Sequence, residues 1–294
     1  MLEKIGPPII TLIFKSLGAL PLSVLQRLGK FFGWLAWCLP GSYKESARKN
    51  LQQAFSDSSP RLLRAAMMNV GQLMFEMPYW WTRRDEHSLD AALQCDDWRY
   101  FDDAMSLNKG VIVLTPHLGC FELLGPISGA RYPATALFRP PRMVWLTDWI
   151  IKMRSRRQLT MAPANQSGVR TLVKTLLRGR MVGILPDQVP PDGEGVWAPF
   201  FGRPAYTMTL VHRLQQLTGS PILVAAVERK AVGQGYILHC RRLEAPLPDD
   251  AVAAATVMNQ EMEALIRKIP EQYLWGYNRY RQPKTKVPKS DTAA

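Results

Sequence analysis

The chain has 294 residues, of which 47% are hydrophobic and 21% charged, enough to bury one sizeable core or a core with a small appendage. This composition excludes a disordered chain and a small disulfide scaffold. The formal net charge of +13, from 37 basic and 24 acidic residues, implies an anionic partner: nucleic acid, an anionic lipid surface, or an acidic substrate or carrier. Cys38, Cys95, Cys120 and Cys240 form no CxxC pair, and no Cys/His cluster has zinc-ligand spacing. They read as reduced, mostly buried thiols in a cytosol-facing protein, and no metal or tightly bound cofactor is implied.

In chain order, three uncharged stretches come first, at Ile5–Phe14, Ser16–Gln26 and Phe31–Tyr43. Each is shorter than the roughly 18 to 20 residues of a spanning helix. Lys15, Arg27, Lys30, Pro7, Pro8 and Pro21 interrupt them, and no clear secretory signal is present. Two readings fit equally: amphipathic helices in a membrane interface, carrying Phe14, Phe31, Phe32, Trp34 and Trp37, or an ordinary helical hairpin of the core. Helical patterns fill 8–83, broken at Pro40-Gly41-Ser42, with Ser59 as a cap before Pro60. The Met- and aromatic-rich stretch Met67–Trp81 reads as core packing.

From Lys109 the texture changes. Strands are expected at 110–115, 135–138, 181–185, 221–227 and 236–240. Helices are expected at 120–130, 144–156, 168–177, 206–217 and 249–268. Strands alternating with helices argue for an α/β fold with a mixed central sheet flanked by helices, behind an N-terminal helical membrane-binding segment. The boundaries expected are 1–40 for the membrane-associating helices, 41–281 for one catalytic domain, and 282–294 for a disordered basic tail. Residues 189–205, rich in Pro and Gly and holding Trp197, Phe200 and Phe201, are expected as a long loop that covers an apolar ligand.

The informative segment is Thr115-Pro-His117-Leu-Gly-Cys-Phe-Glu122, where a buried strand ends and a helix begins. Ligands of α/β sheets gather at the carboxyl ends of strands. The spacing from His117 to Glu122 is five, and on a regular helix that separates side chains by about 140°. The two meet only with His117 in the turn and Glu122 in the first helical turns, a bend that Gly119 permits. A neutral imidazole, with an ordinary pKa of about 6.5, suits removal of a hydroxyl proton. A carboxylate on its other nitrogen fixes the tautomer, so Glu122 is expected as the orienting partner. A His and a Glu five apart are common, and the pair alone favours a satisfied histidine at a helix start; the strand-turn-helix context is what argues for a site.

The pattern PHLGCFE resembles the His-x4-Asp/Glu motif of the glycerolipid acyltransferase superfamily. Asn50-Leu51 before Ala54-Phe55, Phe138-Arg139-Pro140, Leu185-Pro186-Asp187-Gln188, Pro199-Phe-Phe-Gly202, Pro270-Glu-Gln-Tyr-Leu-Trp275 and Asn278-Arg279-Tyr280 narrow the match. In that order they resemble the blocks of the lipid A biosynthesis acyltransferases, the lauroyl/myristoyl transferase family, over residues 20 to 282. The resemblance implies a glycerolipid acyltransferase-like fold. It also implies late acyl transfer from acyl-acyl carrier protein to a hydroxyl of an anionic glycolipid, a lipid A precursor, in lipopolysaccharide biosynthesis. The implied place is the cytoplasmic face of the cell inner membrane of a Gram-negative bacterium.

At the matched positions Arg139 would hold a phosphate or stabilise oxyanion charge. Asp187 and Gln188 would orient Arg139, the acceptor sugar or the loop beneath, or form an Asx-type turn. Arg203 would meet a phosphate or solvent. The run Lys152, Arg154, Arg156, Arg157 reads as a solvated helix face or a dock for lipid phosphates or an acidic carrier. Acylation of another membrane lipid is the first rival reading. Nucleic-acid binding is a distant one, since no helix-turn-helix, zinc finger or RNP aromatic motif is visible.

Overall fold

The computed structural model describes residues 2–83, 89, 92–95, 97–141, 143–155 and 158–283, with backbone only for 2–5. Four helices lead: α1 (Leu2–Gly18), α2 (Leu22–Cys38), α3 (Ser42–Ala54) and α4 (Pro60–Thr82). The expected cap holds α4, with Ser59 Oγ accepting from the Leu62 N–H at 3.3 Å and Pro60 at the first position. Helix α2 packs along α4 at backbone distance. A Cβ on Gly71 would stand 2.1 Å from the Gly29 carbonyl oxygen, so only glycine allows this approach.

The remaining elements are β1 (Leu93–Gln94), α5 (Trp98–Ser106), β2 (Val111–Leu114), α6 (Phe121–Arg131), β3 (Ala134–Phe138), α7 (Val144–Arg154) and β4 (Leu159–Pro163). After them come α8 (Gln166–Leu177), β5 (Met181–Ile184), β6 (Gly195–Phe200), β7 (Arg203–Met208), α9 (Leu210–Thr218), β8 (Ile222–Arg229), β9 (Tyr236–Arg242) and α10 (Ala251–Lys268). A short 3₁₀ turn at Pro270–Gln272 follows. Seven strands form one mixed sheet in the order β1-β9-β8-β2-β5-β3-β4, parallel throughout except for β8 against β9.

Strand alternation sends successive side chains to opposite faces. Val113, Ala134 and Met181 pack with Leu123, Leu124 and Ile127 of α6. Ile112, Val182 and Ile184 pack on the other face with Leu172 and Leu176 of α8, Val211 and Leu214 of α9, and Ala254 and Met258 of α10. Helix α1 and the C-terminal end of α4 join the α6 side, whereas α3 and the first turns of α4 pack with Val224 and Ala226 of β8 and with α10. Phe14 of α1 packs with Trp81 of α4 and Trp149 of α7, and α4 lies against α6.

Several expectations are corrected. Residues 195–208 are not a covering loop but a hairpin, β6 paired antiparallel to β7 with Phe200 opposite Arg203. Its tight turn uses positive φ at Phe201 (47°) and Gly202 (73°), the conformation that matches strand twist. Phe200 and Phe201 are buried with Tyr273 and Trp275 rather than over a ligand. The helix expected from 206 starts at Leu210, because Tyr206–Met208 completes the hairpin. Strands β1 and β4 and helix α5 were not expected. The basic tail from residue 284 and Arg156 and Arg157 lie outside the described residues.

Candidate active site

Strands β2 and β5 are parallel neighbours with Leu114 in register with Ile184. Counting three residues past each partner gives His117 and Asp187. The register therefore delivers a histidine and a carboxylate to one point beyond the strand ends, where α/β sheets place ligands. His117 Nδ1 lies 2.7 Å from Asp187 Oδ1, and the His117 backbone N–H donates to Asp187 Oδ2 at 2.9 Å. Asp187 is buried, with 2% of its surface exposed. An acceptor-only carboxylate at that distance assigns the ring proton to Nδ1 and leaves Nε2 with its lone pair. The Gln188 amide nitrogen sits 3.2 Å from Nε2.

Burial by itself pushes the Asp187 carboxyl up. The charge and hydrogen bonds of His117, with the Arg279 guanidinium behind, outweigh that and hold it below the usual carboxylate value. Arg279 is itself buried and tied to the Tyr206 carbonyl (2.6 Å) and Thr207 Oγ (2.7 Å).

Glu122 does not meet the ring, which corrects its expected role as the orienting partner. It occupies the first turn of α6, and its carboxylate turns toward α4 and α7. There it accepts from Trp81 Nε1 at 3.0 Å and from the Arg154 guanidinium, which also lies over the Trp81 ring at 4.8 Å. Arg154 is thus a committed partner of a carboxylate rather than one of a row of solvated charges. The spacing of five places Glu122 beside His117 along the cavity wall without bringing the two into contact.

The turn that carries His117 is clamped by the C-terminal segment. The Gly119 N–H donates to the Gln272 carbonyl (3.0 Å), the Cys120 N–H to the Val227 carbonyl (2.8 Å), and the Leu274 N–H to the His117 carbonyl (3.1 Å). The Gln272 side chain in turn pairs with both backbone groups of Arg229, at 2.9 Å each. Gly119 has φ +63°, and a Cβ there would stand 2.0 Å from the Val227 oxygen. The Pro270–Trp275 block therefore acts on the site through the backbone of the histidine turn. Asn50 Nδ2 secures the same block by donating to the Trp275 and Tyr277 carbonyls. Cys120 is buried, and burial followed by the nearby Glu76 pushes its thiol well above the ordinary value, so it stays a neutral packing group.

A cavity of about 1180 Å³ opens at this point. That exceeds the ~300–1,000 Å³ usual for one drug-sized ligand. His117, Glu122, Arg139, Arg154 and Gln188 all line it. One part runs below α6 over the small residues Gly125, Ala134, Ala136 and Gly183. Another runs on the opposite sheet face between α8 and α9, along Val169, Val173, Leu210, Leu214 and Leu217. Arg139, exposed just after β3, has no ion-pair partner among the described residues. Arg203 is not at the cavity; it is exposed and stacks on the Tyr280 ring at 4.8 Å, which fits the solvent alternative of its two readings rather than the phosphate one.

Sequence reasoning gave no site role to Trp81, Arg279 or Gln272, and it read Arg154 as a solvated or docking charge rather than as the partner of Glu122. The equal offset of His117 and Asp187 from two apolar strand ends was a readable signal. Its meaning depends on β2 and β5 being neighbours although β3, β4 and three helices intervene in the chain.

Residues 6–282 match the family described as bacterial lipid A biosynthesis acyltransferase. The chain is similar to a lipid A biosynthesis palmitoleoyltransferase of Escherichia coli (strain K12), 28% identical over 267 residues, covering 89% of this chain and 86% of that protein. It is 26% identical over 280 residues to a lipid A biosynthesis lauroyltransferase of the same organism, covering 92% and 89%. A lipid A biosynthesis acyltransferase of Haemophilus influenzae is 25% identical over 292 residues, covering 94% and 90%.

Proposed function

This chain belongs to the bacterial lipid A biosynthesis acyltransferase family, and from that premise we propose that it moves a fatty acyl chain from an acyl-acyl carrier protein thioester to a hydroxyl of a lipid A precursor. The observation that carries the mechanism is the His117–Asp187 contact at the cavity mouth. The acceptor hydroxyl displaces the Gln188 amide from His117 Nε2 and gives its proton to that nitrogen as its oxygen attacks the thioester carbonyl. Asp187 holds the tautomer and stabilises the imidazolium. Collapse of the tetrahedral intermediate breaks the C–S bond, and the leaving thiolate takes the proton back from Nε2.

The developing oxyanion needs a donor. The backbone N–H groups of Leu118, Gly119 and Cys120 are already spent on the carbonyls of Pro116, Gln272 and Val227. A side chain is therefore assigned the role, and Arg139, just past the end of β3, is the cation assigned to it. Glu122 holds Arg154 and Trp81 as a rigid wall beside the acceptor. The apolar slot floored by Ala134, Ala136 and Gly183 takes hydrocarbon.

The reaction belongs at a membrane surface, and the exposed apolar residues support this. On α1 they are Ile9, Leu12 and Ile13; on α2, Phe31, Phe32, Trp34 and Leu35; beside α7, Met143 and Val144. Lys15, Arg27 and Lys30 accompany them, a composition suited to an anionic interface. Among the described residues no single helix is long and apolar enough to cross a membrane; α1 and α2 meet that length and composition only as a pair, bent by 109°. We place the enzyme on the cytoplasmic face of the inner membrane.

The test is product analysis. Purified protein is given a panel of acyl-carrier thioesters and a tetra-acylated lipid A precursor. A product heavier by one acyl group is expected. Acylation of a lysophospholipid but not of the glycolipid would transfer the reading to another membrane lipid.

A further inference from the structure

We infer that the acidic carrier protein docks on the basic rim formed by α8 and α9, and that its thioester enters through the cleft between those helices. The inference rests on the carrier-protein donor proposed above and adds the surface that receives it.

Arg170, Lys174 and Arg178 recur every four residues and form one exposed stripe along α8, while Gly168, Leu172 and Leu176 face the core. Arg180 continues the stripe past the helix end, and Arg213 on α9 stands exposed across the cleft. Among the described residues none of these five has an ion-pair partner, so the charge is uncompensated. Arg170 and Arg213 also line the cavity, as does Glu194. Below them the cleft walls are Val169, Val173, Leu210 and Leu214. Two large leucines stand in the open here, Leu177 at 67% and Leu217 at 70% exposure. An apolar centre ringed by unpaired cations matches an acidic protein surface with its own apolar spot, the arrangement that steers charged partners together.

Position favours this rim over α7. The exposed apolar residues of α1 and of the start of α7 lie beside Trp81 on the α6 side of the sheet, so a lipid surface covering them would exclude a soluble protein there. Helices α8 and α9 lie on the other face, and the cavity joins both to His117. Acceptor lipid and carrier protein then approach from opposite sides. Arg154 on α7, an expected carrier contact, is already paired with Glu122.

The test compares two donors of the same acyl group, the carrier-protein thioester and a small acyl-pantetheine thioester without protein. The variant is Lys174→Glu with Arg178→Glu, two exposed positions outside the cavity. Arg99→Glu with Lys230→Glu, on the other side of the sheet, makes the same charge change as a control. The rim variant should raise KM for the carrier thioester roughly tenfold or more and flatten its salt dependence, because rim charges act chiefly on association. Its kcat and its rate with the small thioester should match wild type, and the control should behave as wild type with both donors. An unchanged KM, or an equal loss with both donors, overturns the docking surface while leaving the reaction standing. A wild-type enzyme that uses the small thioester but never the carrier-bound one overturns the donor reading itself.

Discussion

Replacing Asp187 by Asn keeps the side-chain shape but can turn an amide N–H toward the His117 Nδ1 proton. The ring then loses its orienting acceptor, and transfer should fall by about 10²- to 10⁴-fold with little change in acceptor KM. Steady-state rates on the purified variant check this. Because the folded Asp187 carboxyl sits below its ordinary 3.8, it adds stability at pH values above that figure. That contribution is lost as pH falls through the folded value, so the acid limb of an unfolding-versus-pH curve should flatten in the Asn variant. Gly119 gives a steric counterpart. Its φ of +63° and the Val227 oxygen 2.0 Å from any added Cβ make Gly119→Ala incompatible with the clamped turn. Activity should collapse in this variant, and the melting temperature should drop as well. A fully active Ala variant would show that the turn adopts another conformation.

At the scale of elements, a buried ion pair joins the N-terminal helices to the sheet. Glu76 of α4 and Arg229 at the end of β8 are 0% and 1% exposed at their side chains, with Nε to oxygen distances of 2.8 Å. Gln26 of α2 and Tyr236 of β9 also donate to Glu76, at 2.7 and 2.8 Å. Removing one partner of such a pair leaves a buried charge, so Glu76→Ala should cost about 3–5 kcal/mol in denaturant unfolding. The sequence named the elements well where one local pattern sufficed. The Ser59-Pro60 start of α4, the apolar run of β2 and the closing helix expected over 249–268 were all legible from neighbours in the chain. It failed where an element exists only through a distant partner. Strand β4 (Leu159–Pro163) is edge-paired to β3 and carries no clear alternation, and the β6–β7 hairpin was hidden by prolines that face each other, Pro199 opposite Pro204. The site divides the same way. His117 stood out by its place after a strand, but its carboxylate partner is fixed by sheet order, which spacing along the chain does not contain.

At the scale of the whole molecule, exposed apolar residues on α1, on α2 and at the start of α7, and a cationic rim on α8 and α9, occupy separate parts of the surface. The apolar aromatics of α2 are exposed in a row, with Phe31 at 54%, Phe32 at 47% and Trp34 at 41%. Changing all three to Ser should weaken binding to vesicles containing anionic lipid, measured by co-sedimentation, without lowering the melting temperature. Unchanged sedimentation would remove α2 from the membrane contact. High salt should loosen the wild type on those vesicles, since about 1 kcal/mol per basic residue near the surface is screened within a Debye length.

The central claim is that His117 is the base and Asp187, rather than Glu122, is the group that orients it. The most direct measurement is single-turnover acyl transfer to the lipid A precursor by wild type, His117→Ala, Asp187→Asn and Glu122→Gln, each shown to be folded. The account predicts that His117→Ala and Asp187→Asn each lose at least about 100-fold, and that combining them loses little more, as expected of residues acting as one unit. Glu122→Gln should then add its own loss independently to either. Full activity in Asp187→Asn, or a Glu122→Gln loss that vanishes in the His117→Ala background while the Asp187→Asn loss does not, would contradict it.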